Sequence, residues 1–179
     1  VREAGYRCEM IDYNKLPKHF KKKPLALILS GGPASSFKKK SPKIDIKILN
    51  MKIPILGICY GMQLICQTLG GLVKNTKKRE FGKAEIKLIG NNPLFKDIKN
   101  TRNSRQVWMS HGDEVTKIPK GFTKLATTKE NSVAAIGNMK KKIFGLQFHP
   151  EVAHTIEGKL IIKNFLNVIC KLKENWKIE

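Results

Sequence analysis

The chain has no apolar run approaching the roughly eighteen residues that cross a bilayer, so no membrane partner is expected. Its opening residues, Val1-Arg2-Glu3-Ala4-Gly5, lack the long apolar core of a secretory signal. Cysteine is sparse. The four present, Cys8, Cys59, Cys66 and Cys170, form no close pair of the C-x-x-C kind, so the sequence offers no metal site. Without an export signal, reduced thiols in a cytoplasmic compartment are the expectation. No segment repeats in tandem.

Acidic residues are also scarce, 14 against 35 basic ones, for a net charge of +21. A nucleic-acid partner is one reading of such a balance. Arginine is rare, however, and aromatics are not interleaved with the basic residues as they are where bases stack. The lysines fall in short scattered runs: Lys21-Lys22-Lys23, Lys38-Lys39-Lys40, Lys77-Lys78-Arg79 and Lys140-Lys141-Lys142. They read as a solvated surface, with a basic face toward an anionic substrate or acidic partner as the alternative. Nucleic acid is not expected.

What the chain does contain is an α/β alternation within 179 residues, a length suited to one domain, 1–179. Leu25-Ala26-Leu27-Ile28-Leu29 and Ile53-Pro54-Ile55-Leu56-Gly57-Ile58 are continuous apolar runs, read as buried strands of a parallel sheet. Met62, Ile65, Cys66 and Leu69 then recur at helical spacing up to the stop at Gly70-Gly71. Residues 80–135 show shorter runs, with strands expected at 107–109 and 132–136. A last strand covers 143–148. Ile161, Phe165, Ile169, Leu172 and Trp176 lie on one stripe, predicting a closing helix. Residues 1–5 read as the end of a helix, so an opening strand is expected to be missing.

Gly57-Ile58-Cys59-Tyr60-Gly61 has the shape G-x-C-x-G at a strand-to-helix junction. It parallels the elbow of serine hydrolases, with sulfur in place of oxygen. The small flanking residues allow a sharp turn, and the helix start favours the thiolate that attacks. An ordinary buried cysteine competes with this, and the elbow alone does not decide.

A thiol nucleophile needs an imidazole. His19 sits in a lysine-rich stretch and reads as surface. His111, in Ser110-His111-Gly112-Asp113, fits a loop at a strand end. His154 reads as a cap or packing residue. His149 is the strongest candidate, because it follows its strand as Cys59 follows its own, and parallel strand ends share one edge. Pro150 extends the backbone at His149, which turns Glu151 to the same side. A carboxylate there can hold the second ring nitrogen. Ser30-Gly31-Gly32-Pro33 ends the neighbouring strand and could bring an N–H to an oxyanion, although a simple turn would use the same residues.

Together these motifs resemble the class I glutamine amidotransferases, in the family's order: Ser30-Gly31-Gly32-Pro33, Gly57-Ile58-Cys59-Tyr60-Gly61-Met62-Gln63, and Gln147-Phe148-His149-Pro150-Glu151. The resemblance implies a flavodoxin-like or Rossmann-like, mostly parallel sheet flanked by helices. It implies glutamine as substrate, Cys59 as nucleophile, His149 as acid and base, and Glu151 as orienter. Gly32 and Tyr60 would supply oxyanion N–H groups, and Gln63 would contact the glutamine. Tyr60 after the nucleophile, Arg79-Glu80-Phe81-Gly82-Lys83-Ala84, Trp108-Met109-Ser110-His111-Gly112-Asp113 and His149-Pro150-Glu151-Val152-x-His154-Thr155 look like the GMP synthetase branch. That likeness implies Ser110, Gly112 and Asp113 beside the substrate's α-amino and carboxylate groups. It also implies a partner, the synthetase domain or subunit, which is an ATP pyrophosphatase that aminates XMP. No cofactor is expected for the glutaminase half, and ATP and Mg act only on the partner. A glutaminase for anthranilate or CTP synthesis, or a non-catalytic regulatory subunit of the same shape, are the alternatives.

Overall fold

The computed structural model describes residues 1–15, 20, 22–32, 41–99, 101, 105–130 and 132–176, without the side chains of 76–79. His19, Pro33 and Lys38-Lys39-Lys40 therefore lie outside the described residues.

Three parallel strands form the part of the sheet that carries the chemistry. β1 (Leu27–Leu29) pairs with β2 (Ile55–Ile58), and β2 pairs with β7 (Ile143–Leu146). β2 and β7 are wholly buried, as their unbroken apolar runs require. β1 is only half-buried, because it lies at one edge of the seven-stranded sheet.

Side chains alternate across β2 and β7, building one core on each face. Ile55 and Ile143 join Met62, Ile65 and Cys66 of α2 (Tyr60–Thr68) on one side. Leu56, Phe144 and Leu146 join Ile161, Phe165 and Ile169 of the C-terminal helix on the other. Short α1 (Ile46–Leu49), capped by the Asp45 carboxylate on the Lys47 N–H at 2.8 Å, adds Leu49 to the α2 side.

From β7 onward the pairing is antiparallel: β6 (Val133–Asn138), β5 (Thr123–Thr128), β3 (Leu72–Leu88) and β4 (Gln106–Lys117) follow in that order. The helix-flanked α/β sheet agrees with expectation, but among the described residues its parallel pairing is confined to three strands, so the sheet is mixed rather than mostly parallel. β3 and β5 were not legible in the sequence. β4 is far longer than the expected 107–109, and it takes in Ser110-His111-Gly112-Asp113. His111 is therefore in the middle of a strand rather than in a loop, with its ring facing inward in the alternation Val107, Met109, His111, Asp113, Val115.

The closing helix is shorter than its stripe. α3 (Gly158–Lys163) passes directly into a π-helical turn over Asn164–Ile169, and Lys171 takes a left-handed φ of 56°. The wider turn rotates later residues off the stripe. Leu172 still packs against the core, while Trp176 is largely exposed. The segment then folds back, and the N–H groups of Asn175 and Trp176 both donate to the Gly5 carbonyl at 2.9 Å. Gly5 itself closes a 3-10 turn over Arg2–Ala4. Of the lysine runs, Lys22, Lys23 and Lys140-Lys141-Lys142 are exposed to solvent. No helix among the described residues is long and apolar enough to cross a membrane.

Candidate active site

Three neighbouring strand ends meet at one edge. Cys59 leaves β2 with φ 51° and ψ −105°, a left-handed backbone that a non-glycine residue holds only when its surroundings impose it. The surroundings are visible in the flanking glycines. A Cβ on Gly57 would sit 2.6 Å from the Gly61 carbonyl carbon, and one on Gly61 would strike the Leu29 carbonyl. The G-x-C-x-G pattern is thus a packing requirement of the turn from β2 into α2. The Cys59 N–H continues the ladder to the Leu146 carbonyl at 2.6 Å.

His149 follows β7 and is held by its backbone N–H on the Trp108 carbonyl at 3.0 Å. Its Nδ1 lies 2.7 Å from Glu151 Oε1. The hydrogen bond to Cys59 is the largest influence raising its pKa, followed by that to Glu151, and against the opposing effect of burial they push it up to about 10. Burial acts to raise Glu151, but the His149 hydrogen bond, its own backbone N–H and the imidazolium charge outweigh it, and its pKa is lowered. The pair is thus arranged to keep an imidazolium beside the sulfur. Burial pushes the Cys66 and Cys170 thiols up to about 12, which makes them inert by comparison.

Gly31, just past β1, closes the third side. A Cβ there would sit 2.8 Å from His149 Cε1 and 3.5 Å from Cys59 Cβ. Beside it, Gly32 faces open space. Tyr60 opens α2, so its N–H has no acceptor within the helix. Its hydroxyl donates to the Pro42 carbonyl at 2.6 Å, which anchors the helix start.

The other expected residues divide along β4. The Ser110 carbonyl accepts from Cys59 Sγ at 3.7 Å. Gln63 Nε2 donates to the Asp113 carbonyl at 2.9 Å. Gly112 shares the outer face with Ser110, whereas Asp113 points inward and its Oδ1 accepts from Asn75 Nδ2 at 2.7 Å. His111 Nδ1 also lies 3.0 Å from the Asp113 carbonyl. Its Nε2 faces Glu80 Oε2 at 3.2 Å without forming a hydrogen bond. Burial lowers the His111 pKa and raises that of Glu80, so each tends toward its neutral form.

Sequence reasoning gave no role to Asn75 or Gln147, and it quoted Thr155 only within a motif. Thr155 Oγ1 accepts from the Trp108 N–H at 3.0 Å and donates to the His149 carbonyl at 2.5 Å. His154 packs on Trp108, with ring centroids 4.7 Å apart. The chain after His149 is thereby clamped onto β4. A period-2 reading from His149 back to Gln147 would have placed both on one face; no signal in the sequence pairs Asn75 with Asp113.

A thiol at a strained strand–helix turn, beside an imidazole and a carboxylate that follow the adjacent strand, is the arrangement that cysteine-type acyl transfer requires. Residues 1–169 match the family model "Glutamine amidotransferase class-I", and the chain belongs to that family. Among its relatives, GMP synthase (glutamine-hydrolyzing) of Finegoldia magna is 46% identical over 180 residues, covering 100% of this chain and 35% of its own length. The same enzyme of Brachyspira hyodysenteriae is 49% identical over 179 residues, covering 99% and 34%. The chain thus spans about a third of the length of these curated relatives. A solved Thermoplasma acidophilum structure, described as that of a GMP synthase subunit, shares 31% identity with a TM-score of 0.66, over 90% of this chain and 77% of its own.

Proposed function

We propose that this chain hydrolyses glutamine to glutamate and ammonia, and that the ammonia serves the ATP pyrophosphatase part of a GMP synthetase. The observation that carries the proposal is the meeting of Cys59, on its left-handed turn, with the His149–Glu151 pair from the adjacent parallel strand. Cys59 Sγ attacks the carboxamide carbon, and the oxyanion rests on the N–H groups of Gly32 and Tyr60. His149 gives its proton to the nitrogen, the C–N bond breaks, and ammonia leaves behind a γ-glutamyl thioester. Water then attacks with His149 as base, releasing glutamate and restoring the sulfur. Gln63, Ser110 and Gly112 orient the substrate, and Asp113, turned inward onto Asn75, positions Gln63 through its carbonyl. No metal or organic cofactor takes part in this half; ATP and Mg act on the synthetase, in a cytoplasmic setting.

Support for the GMP branch comes from the relatives, which are GMP synthases along the whole of this chain. The test is glutaminase turnover by the chain, alone and with a GMP synthetase ATP pyrophosphatase domain, XMP and ATP. Turnover that rises with the nucleotide-loaded partner and disappears in Cys59→Ala is expected. Activity surviving in Cys59→Ala would refute the mechanism, and indifference to XMP would refute the pathway.

A further inference from the structure

Gln147 has no part in the mechanism above, yet it touches the reacting atom. Strand register brings it there. β2 and β7 pair Ile58 with Leu146, so the next cross-strand neighbours are Cys59 and Gln147. The Gln147 N–H donates to the Ala134 carbonyl at 2.9 Å, which holds its backbone in the sheet. The side chain is 1% exposed. Its Nε2 donates to Cys59 Sγ at 3.8 Å, and its Oε1 is buried without any hydrogen-bond partner.

Stability alone does not select this residue. An amide sealed in a core with its oxygen unpaired has lost hydration that it does not recover. Methionine has a similar length and no such loss. The use of the amide lies in its donor. Among the described residues, two groups besides His149 reach the sulfur, and they prefer opposite protonation states. The Ser110 carbonyl can only accept, so it suits the S–H form and repels an anion. The Gln147 amide can donate, and hydrogen bonds to an ionised partner are the stronger kind.

Resting on the assignment of Cys59 as nucleophile, we propose that Gln147 is a further catalytic residue, whose amide N–H stabilises the anionic sulfur of Cys59 before attack and again when the thioester is released. His149 holds the proton that the sulfur gives up, so the imidazolium and the Gln147 amide act on the same anion from one face of the strand extension.

The test compares the wild-type chain with Gln147→Met and Gln147→Glu. The readouts are the pH dependence of Cys59 alkylation by iodoacetamide, with Cys59→Ala as background, thermal midpoint, and glutaminase kcat and KM. Gln147→Met should keep or raise the thermal midpoint. It should move the alkylation midpoint up by about one pH unit and lower kcat roughly tenfold, with KM little changed. Gln147→Glu keeps the size but exchanges the donor for a negative acceptor, and should move the midpoint further in the same direction. A wild-type alkylation profile in Gln147→Met would overturn the proposal. So would a downward shift in Gln147→Glu, or losses that simply follow a falling thermal midpoint. If the two variants shift the alkylation profile as expected yet wild type hydrolyses no glutamine, the glutaminase reading fails and the assignment of Gln147 to the sulfur stands.

Discussion

Replacing Glu151 by Gln removes one charge and little else. The carboxylate lies 2.7 Å from His149 Nδ1, and an amide oxygen can accept the same hydrogen bond. The Cys59 hydrogen bond is the larger cause of the raised His149 pKa, and Glu151 the next. His149 stands at about 10 against an ordinary 6.5. The Glu151 side chain is 49% exposed, so solvent screens much of its charge. Its share is then about one pH unit. The sign follows from the direction of the shift. A raised pKa keeps the imidazolium protonated up to about pH 10, so kcat/KM for glutamine should fall only as pH rises through that region. In Glu151→Gln the alkaline limb should move down by about one pH unit, and kcat should fall roughly 10- to 100-fold as the neutral amide stabilises the imidazolium less. The limb belongs to the coupled Cys59–His149 pair, so the comparison between the two proteins is what counts. Folding stability should follow the same sign. The contribution of the raised His149 pKa is fully present below about 6.5 and lost as pH rises toward 10, so the wild-type advantage over Glu151→Gln should shrink across that window. Steady-state glutaminase profiles from pH 6 to 11, with denaturant melts at each end, read both effects. An alkaline limb that stays in place while kcat drops would refute the electrostatic role and leave Glu151 as a steric prop.

Gly31→Ala tests the third strand end. Its Cβ would lie 2.8 Å from His149 Cε1, so the ring must retreat by about 0.6 Å to reach the 3.4 Å of ordinary contact. A displacement of that size should cost kcat about 10- to 100-fold with little change in thermal midpoint, and an unchanged kcat would show that the ring is free to move. Thr155→Val keeps the shape but strips the hydroxyl that joins the Trp108 N–H to the His149 carbonyl. The two unpaired groups should cost about 2 kcal/mol, lowering the thermal midpoint by roughly 4–8 °C in calorimetry. A loss of less than a degree would mean that the clamp is redundant with the His149 N–H bond to Trp108.

How far the sequence could be read depends on which face of the sheet a residue serves. β2, α2 and β7 were legible because their apolar runs are buried on both sides and end in glycine or His-Pro. β3 was not. Lys74-Asn75-Thr76-Lys77-Lys78-Arg79-Glu80 carries no apolar alternation, and β3 is held as a strand by pairing with β4 at 72–75 and 80–85 and with β5 at 86–88. β4 does alternate, but two of its inward positions are His111 and Asp113, which break the apolar code and make a strand look like a loop. Both side chains are partnered indoors: the Asp113 carboxylate accepts from Asn75, and His111 Nδ1 lies on the Asp113 carbonyl that also accepts from Gln63. A local rule is broken where a buried hydrogen-bond network needs polar groups indoors.

The motifs and the site they build are set by different features of the chain. The order of Gly31, Cys59 and His149 in the chain says nothing about distance. What brings them together is the parallel register of three strands, which aligns Leu29 with Gly57 and Ile58 with Leu146. Gly31, Cys59 and His149 stand two, one and three residues past their strand ends, at a shared edge. Register also places Gln147 next to Cys59, although no glycine turn or His-x-Glu spacing marks it. A sliding of β7 against β2 by one residue would turn Gln147 and His149 away together, since both depend on the same alternation. The tight contact of Gly145 with Met62 on α2, where a Cβ would sit 2.7 Å from Cγ, opposes that slip, because Gly145 is flanked by Phe144 and Leu146. The packing of α2 on β7 therefore sets the geometry of the site as much as Cys59, His149 and Glu151 do.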